Sequence, residues 1–205
     1  MVESAIRLPP LHGRQAAEVL GQAFHNDPMS KYLVPDDAKR ARLLPIFFSI
    51  QVRYCLRYGE VYTRPGLDGV ACWLSPGATS PTIGRLARVA LRSAGVRRVP
   101  FELGLSGLQR YMDAERYTGD IHKRAAPEPH WYLWIIGVEP ARQSKGIGGS
   151  LMQPILARAG AQGLPCYLET NNADNVPFYQ KYGFRVVSDG EIPNRGLRVW
   201  AMLRK

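Results

Sequence analysis

The run Trp131-Tyr132-Leu133-Trp134-Ile135-Ile136-Gly137-Val138, followed by Glu139-Pro140-Ala141-Arg142-Gln143-Ser144-Lys145-Gly146-Ile147-Gly148-Gly149-Ser150, decides how the rest of this chain is read. Its first part is apolar, β-branched and aromatic, the composition of a buried strand. Beyond the glycines, Leu151, Met152, Ile155, Leu156 and Ala159 recur at helical spacing, so a helix is expected over residues 147–162. A strand that feeds a glycine-rich turn and then a helix makes an anion site. The first N–H groups of the helix lack intrahelical acceptors, the dipole is positive there, and glycine lets an oxygen approach without meeting a Cβ. A phosphorylated ligand is the expected occupant. Two phosphate loops are excluded by the letters: the turn has no G-x-x-x-x-G-K-[ST], and Leu151 stands where a dinucleotide fingerprint needs a third Gly or Ala. A tight strand-to-helix turn with no ligand is the other reading of this turn taken alone.

Downstream, residues 166–170 read as a strand, 174–182 as a helix, and 184–187 and 197–203 as two strands. Upstream, residues 4–8 suggest a short strand and 14–25 a helix that stops at Asn26-Asp27-Pro28. Asp36 and Asp37 can cap a second helix carrying Leu43, Ile46, Phe47, Ile50 and Tyr54, ending near Gly59 with a kink at Pro45. Residues 60–63 and 70–74 are β runs joined by a loop, expected to pair antiparallel, and helices are expected near 83–94 and 101–121. The strand at 131–138 is thus the fourth. This order predicts a mixed α/β fold, a central mixed β-sheet flanked by helices with the phosphate-binding turn after the fourth strand, in one domain spanning 1–205.

Composition narrows the function classes. The chain has 205 residues, 45% apolar and 21% charged, enough for one sizeable core and unlike a disordered sequence. Its charge-free windows, residues 69–84 and 43–52, are respectively too polar and too short to span a hydrocarbon layer, so no membrane partner is expected. Residues 1–10 include Glu3 and Arg7 and no apolar stretch of secretion-signal length, which makes the cytoplasm the expected location. Cys55, Cys72 and Cys166 are odd in number and sit among apolar neighbours, as reduced core thiols do. His12, His25, His122 and His130 show no metal-ligand spacing, and no metal is expected. The net charge of +10 attracts polyanions of every kind. The basic residues are not interleaved with aromatics in a nucleic-acid module, and Arg85, Arg88 and Arg92 read as the solvated side of a helix, so no nucleic-acid partner is expected.

Gln143-x-x-Gly146-x-Gly148 after Gly137-Val138-x-Pro140 resembles the acetyl-CoA signature of the GNAT superfamily of N-acetyltransferases, and residues 175–184, with Asn175, Phe178, Tyr179, Tyr182, Gly183 and Phe184, resemble its second hallmark. Leu168-Glu169-Thr170, Glu191-Ile192-Pro193 and Arg198-Val199-Trp200-Ala201-Met202 look like the puromycin N-acetyltransferase branch. The match is specific over residues 131–205. It implies that Gln143, Ser144, Lys145, Gly146, Ile147, Gly148 and Gly149 hold the CoA pyrophosphate and that Ile136, Gly137 and Val138 pair with the pantetheine arm. An amide of that strand would stabilise the thioester oxygen. Asn175 and Phe178 would contact the cofactor, and Tyr179, one turn beyond Asn175, would protonate the departing thiolate. Glu169 is the candidate general base, with a supporting role in the loop as its alternative.

The implied reaction moves acetyl from acetyl-CoA, with no metal, to the primary amine of a small molecule by direct attack in a ternary complex. Phe24, Asp27, Trp73 and Trp134 are the expected acceptor-pocket residues: rings suit a greasy body and the carboxylate suits an ammonium. Strand alternation lets only one face of residues 131–138 look into that pocket. A protein or peptide N-acetyltransferase and a CoA-binding sensor without turnover are the alternatives, and a monomer or homodimer is expected. Three residues depart from the pattern or from helix rules: Ser144 is tolerated in the turn if its φ is negative, Trp134 is bulky for a puromycin site, and Pro154 interrupts the helix.

Overall fold

The computed structural model describes residues 4–90, 95–193 and 196–205. In chain order the strands are β1 (Ile6–Arg7), β2 (Gly59–Thr63), β3 (Gly69–Leu74), β4 (Trp131–Val138), β5 (Cys166–Thr170), β6 (Arg185–Ile192) and β7 (Leu197–Arg204). The helices are α1 (Gly13–Ala23), α2 (Pro28–Leu33), α3 (Asp37–Tyr58), α4 (Ile83–Ala90), α5 (Val99–Ala125), α6 (Ile147–Gln162) and α7 (Asn175–Gln180). The strands form one seven-stranded sheet in the order β1-β2-β3-β4-β5-β7-β6. Every adjacent pair is antiparallel except β4 with β5. That one parallel pair needs a crossover, and α6 supplies it.

Two cores lie on the two faces of this sheet. One joins α1, α3 and α5 through Leu20, Phe48, Val52, Tyr54 and Ala114; the other seats α6 through Ile147, Leu151, Met152, Ile155 and Ala159. Close approach of α1 to β4 requires Gly137, where a Cβ would fall 2.9 Å from both Ala23 Cβ and Leu20 Cδ2. Cys55, Cys72 and Cys166 are buried free thiols. No helix among the described residues is long and apolar enough to cross a membrane.

Several local expectations change. Asn26-Asp27-Pro28 ends α1 but also starts α2, because the Asp27 carboxylate accepts the Met29 N–H at 2.9 Å and Pro28 fits the first helical turn. Helix α5 begins two residues before the expected span and continues four beyond it, and it is broken at Gly104, whose φ of 66° and ψ of 176° are not helical. The first strand is only Ile6–Arg7, and β6 continues to Ile192 because β7 pairs along its length. The expected helix over 83–94 is described as far as Ala90; residues 91–94, with Arg92, lie outside the described residues.

Two features of β4 shape the site. Strands β4 and β5 pair only at Trp131 with Cys166 and Tyr132 with Tyr167, so the β4 edge is released from Leu133 onward. On the other side Cys72 pairs with Ile135 and Trp73 with Leu133, which leaves Trp134 as the extra residue of a β-bulge. Tyr132, Trp134 and Ile135 therefore all pack with the α1/α3/α5 core, while Trp131, Leu133, Ile136 and Val138 pack with the α6 core.

Candidate active site

The released edge of β4 opens into a cavity of about 200 Å³ whose wall includes Phe24, Asp27, Phe47, Phe48, Tyr111, Glu115, Tyr132, Trp134, Glu169, Asn175 and Tyr179. Both sides of β4 contribute, from Tyr132 through Ile136, contrary to simple alternation; the bulge at Trp134 shifts the pleat and the lost β5 partner exposes the backbone. One wall is held by buried Arg40, which donates to the carbonyls of His25 (2.7 Å), Val34 (2.8 Å) and Pro35 (3.0 Å) and so fastens the segments on either side of α2 to α3. Arg110 of α5 donates to the Leu33 carbonyl at 3.0 Å, closing the wall from the other side.

At the far end of β4 the turn into α6 has the expected form with one exception. Gly146 has φ 76°, and Ser144 also sits in the left-handed region at φ 62°, against the negative φ expected of it. Left-handed residues in a turn can bring successive N–H groups toward one side, the concave arrangement that binds anions. No side chain caps the start of α6, leaving its first N–H groups available to a ligand. Gln143 Nε2 donates to the Val138 carbonyl at 3.1 Å and Lys145 Nζ to the Ala141 carbonyl at 3.3 Å, so both side chains brace the turn. The glycines serve packing as well as approach: a Cβ on Gly148 would lie 3.0 Å from Phe178 Cζ, and one on Gly149 would collide with the Tyr182 hydroxyl. Phe178 thus supports the turn from α7, and buried Ile147 contributes side-chain packing to the core.

Asn175 Nδ2 donates to Thr170 Oγ1 at 3.3 Å, tying α7 to the end of β5, and Tyr179 projects from the same helix into the cavity wall. Burial raises the Tyr179 pKa, and the negative charge of Asp27 raises it further. Its hydroxyl is therefore held protonated. Asp27 is itself raised by burial, against the pull of the Met29 and Ser30 N–H groups. Burial pushes Glu169 up to about 7 from 4.5; the nearby Tyr132 and Tyr167 hydroxyls oppose the shift and the charge of Glu115 adds to it. Glu169 is poised to exchange a proton near neutrality.

Trp73 is corrected. It is fully buried in the α6 core and does not line this cavity, because it lies on the α6 face of β3. Phe24, Asp27 and Trp134 do reach the cavity. Sequence reasoning missed His122, His130 and Tyr167, which gather around Glu169 together with Glu115 and Tyr132 from α5, the loop before β4, β4 and β5. No spacing marks them, since they converge only in three dimensions. Among the described residues no group of His, Cys, Asp and Glu is placed to hold a metal ion.

A seven-stranded mixed sheet flanked by helices is the fold this chain shares with GNAT acetyltransferases of known structure. Residues 109–184 match the family described as "Acetyltransferase (GNAT) family". An uncharacterized N-acetyltransferase of Schizosaccharomyces pombe is 27% identical over 178 residues, 83% of this chain and 70% of that protein. Among solved structures the fold is similar to a histone acetyltransferase HPA2 and related acetyltransferase from Corynebacterium glutamicum, at TM-score 0.68 and 20% identity over 100% of this chain and 96% of that one. It is also similar to arylalkylamine N-acetyltransferase 2 from Aedes aegypti, at TM-score 0.57 and 12% identity over 98% and 97%. These matches support the GNAT superfamily and do not single out a puromycin N-acetyltransferase branch.

Proposed function

We propose that this protein transfers acetyl from acetyl-CoA to the primary amine of a small aromatic or apolar cation, by direct attack in a ternary complex. The observation that carries this reading is the sign of the cavity. In a chain of net charge +10, the charged residues lining it are Asp27, Glu115 and Glu169, all acidic, set among Phe24, Phe47, Phe48, Tyr111 and Trp134. Such a wall attracts an ammonium and stacks on a ring, and it rejects anions.

The residues present fit the cofactor: the turn at 143–149 offers unpartnered helix-start N–H groups to the pyrophosphate, and the β4 edge beyond Tyr132 offers main-chain groups to an extended arm. Bound acetyl-CoA supplies the thioester. Glu169 takes a proton from the substrate ammonium, leaving a neutral amine to attack. A β4 N–H steadies the thioester oxygen, and the Tyr179 hydroxyl returns a proton to the leaving sulfur. The balance of an ammonium and a thioester against an amide and a thiol leaves one proton to be released in each turnover.

The test follows CoA release with 2-phenylethylamine and with a lysine-containing peptide as acceptors. The amine is expected to be preferred. A peptide with kcat/KM tenfold higher, about 1.4 kcal/mol of transition-state binding, would transfer the assignment to a peptide N-acetyltransferase.

A further inference from the structure

Behind Glu169, on the side away from Asp27 and Tyr179, lies a second, wider cavity of about 660 Å³ bordered by Thr79, Ser80, Lys123, Pro127, His122 and His130. The two cavities share Glu115, Thr118, Tyr132, Trp134 and Glu169 as a common partition. His122 lies on the second-cavity side of that partition, buried, stacked on Tyr167 at 4.4 Å and edge-on to Tyr132 at 4.5 Å.

Its tautomer follows from one carbonyl. His130 Nδ1 lies 2.6 Å from the Glu128 carbonyl, which only accepts, so this nitrogen carries the proton. The neutral His130 ring then offers a lone pair at Nε2, and His122 Nε2–H donates to it at 2.8 Å. What remains on His122 is the Nδ1 lone pair, 3.9 Å from Glu169 Oε1. That distance is closed by a small rotation or one bridging water.

We infer that His122, oriented by His130, accepts the proton that Glu169 collects from the substrate and releases it to solvent in the second cavity. This rests on the reading of Glu169 as the base. The step balances: the nitrogen proton shed as the amide forms restores the Tyr179 hydroxyl, the Glu169 O–H bond breaks, an N–H bond forms at His122 Nδ1, and the resulting imidazolium gives that proton to water, returning all three groups to their starting state. The first cavity, filled by acceptor and cofactor arm, leaves no equivalent exit. Burial, with the neighbouring His130 adding to it, holds His122 down to about 4, below Glu169, so the imidazolium is a minor species of roughly one part in a thousand. From an attempt frequency near 6 × 10¹² s⁻¹, a thousandfold penalty still permits transfer far faster than a turnover of roughly 1–10³ s⁻¹. The ionisable groups around this point are Glu115 and Lys123 of α5, His130, Tyr132 of β4, and Tyr167 and Glu169 of β5; the Glu115 carboxyl is itself raised by burial. His122 and His130 are positioning and relay groups, since both act through Glu169.

The experiment assays His122→Ala with 2-phenylethylamine in dilute, non-nucleophilic buffer. A fall in kcat of about tenfold is expected, with KM for acetyl-CoA within about twofold, and added imidazole should restore kcat saturably by occupying the space beside Tyr167. Unchanged kcat, or a loss that imidazole does not mend, overturns the relay. Glu169→Gln is measured in parallel: its full activity would sink the base itself, while an inactive Glu169→Gln beside a fully active His122→Ala would sink the relay alone. Nitrogen-15 NMR of the unaltered protein reads the tautomers directly. Nε2–H on His122 with Nδ1–H on His130 supports the assignment, and the opposite pair overturns it without any need for a variant to fold or for an acceptor to turn over.

Discussion

Glu169 and His122 should tilt the pH dependence of stability in opposite directions, and single substitutions should expose each slope. The carboxyl of Glu169 is raised by burial from 4.5 to about 7. Its stabilising contribution is fully present below 4.5, where folded and unfolded chains are both protonated, and is lost as pH rises through 7. That loss amounts to about 3 kcal/mol. His122 is held down from 6.5 to about 4, chiefly by burial and secondarily by His130. Its contribution is complete above 6.5 and is lost as pH falls through 4, again by at most about 3 kcal/mol, since the ring borders the second cavity. The two slopes oppose each other, so the parent protein should show a flatter profile across this range than either variant. Glu169→Gln removes the first term: relative to the parent it should gain nothing near about pH 4.5 and about 3 kcal/mol near about pH 8. Urea unfolding at both pH values measures this, and with a slope of about 3 kcal/mol per molar the midpoint should move by roughly 1 M. His122→Asn should change with pH in the reverse sense. An equal stability difference between Glu169→Gln and the parent at both pH values would show that Glu169 titrates normally, and the case for it as a base tuned to neutrality would fall with that result.

Three further outcomes are expected. Tyr179→Phe keeps the ring against Phe178 and Phe184 and deletes the hydroxyl, so kcat should drop by roughly 10²–10⁴ while CoA affinity, measured by calorimetry, barely moves. Ser144→Gly relieves a left-handed residue at φ 62° and should raise stability by about 0.5–1 kcal/mol in thermal or urea unfolding, with CoA binding retained. Trp73→Ala should cost about 3–5 kcal/mol of stability through loss of a fully buried indole; a selective rise in acceptor KM with stability intact would instead return Trp73 to the acceptor site.

Much of the fold was readable because it rests on local patterns. The extent of β4, the start and end of α6 and the strand at Cys166–Thr170 coincide with the expected spans, since apolar periodicity and a glycine punctuation mark report the elements that bury most. Helix α2 was missed because the same Asp27-Pro28 pair both ends one helix and begins the next. The glycine-rich turn proposed to hold the cofactor was legible as a turn for a similar reason: its form is carried by backbone groups at consecutive positions. Even there, the left-handed conformation of Ser144 was not, as nothing in a serine announces it.

By itself, the sequence determined the order of the strands and of every helix but α2, the glycine-rich turn before α6 and the candidacy of Glu169 and Tyr179, all properties of short contiguous segments. Tertiary structure alone decided that Trp73 belongs to the core and Trp134 to the cavity, because packing sets which face of β3 and β4 meets α6, and a bulge between β3 and β4 brings Ile135 onto the face of Trp134, against alternation. It also decided that Glu115, His122 and His130 surround Glu169, residues as far apart in the chain as α5 and β5. Their proton affinities are set by burial and by one another, and burial is a property of the packed sheet and helices that no stretch of letters carries.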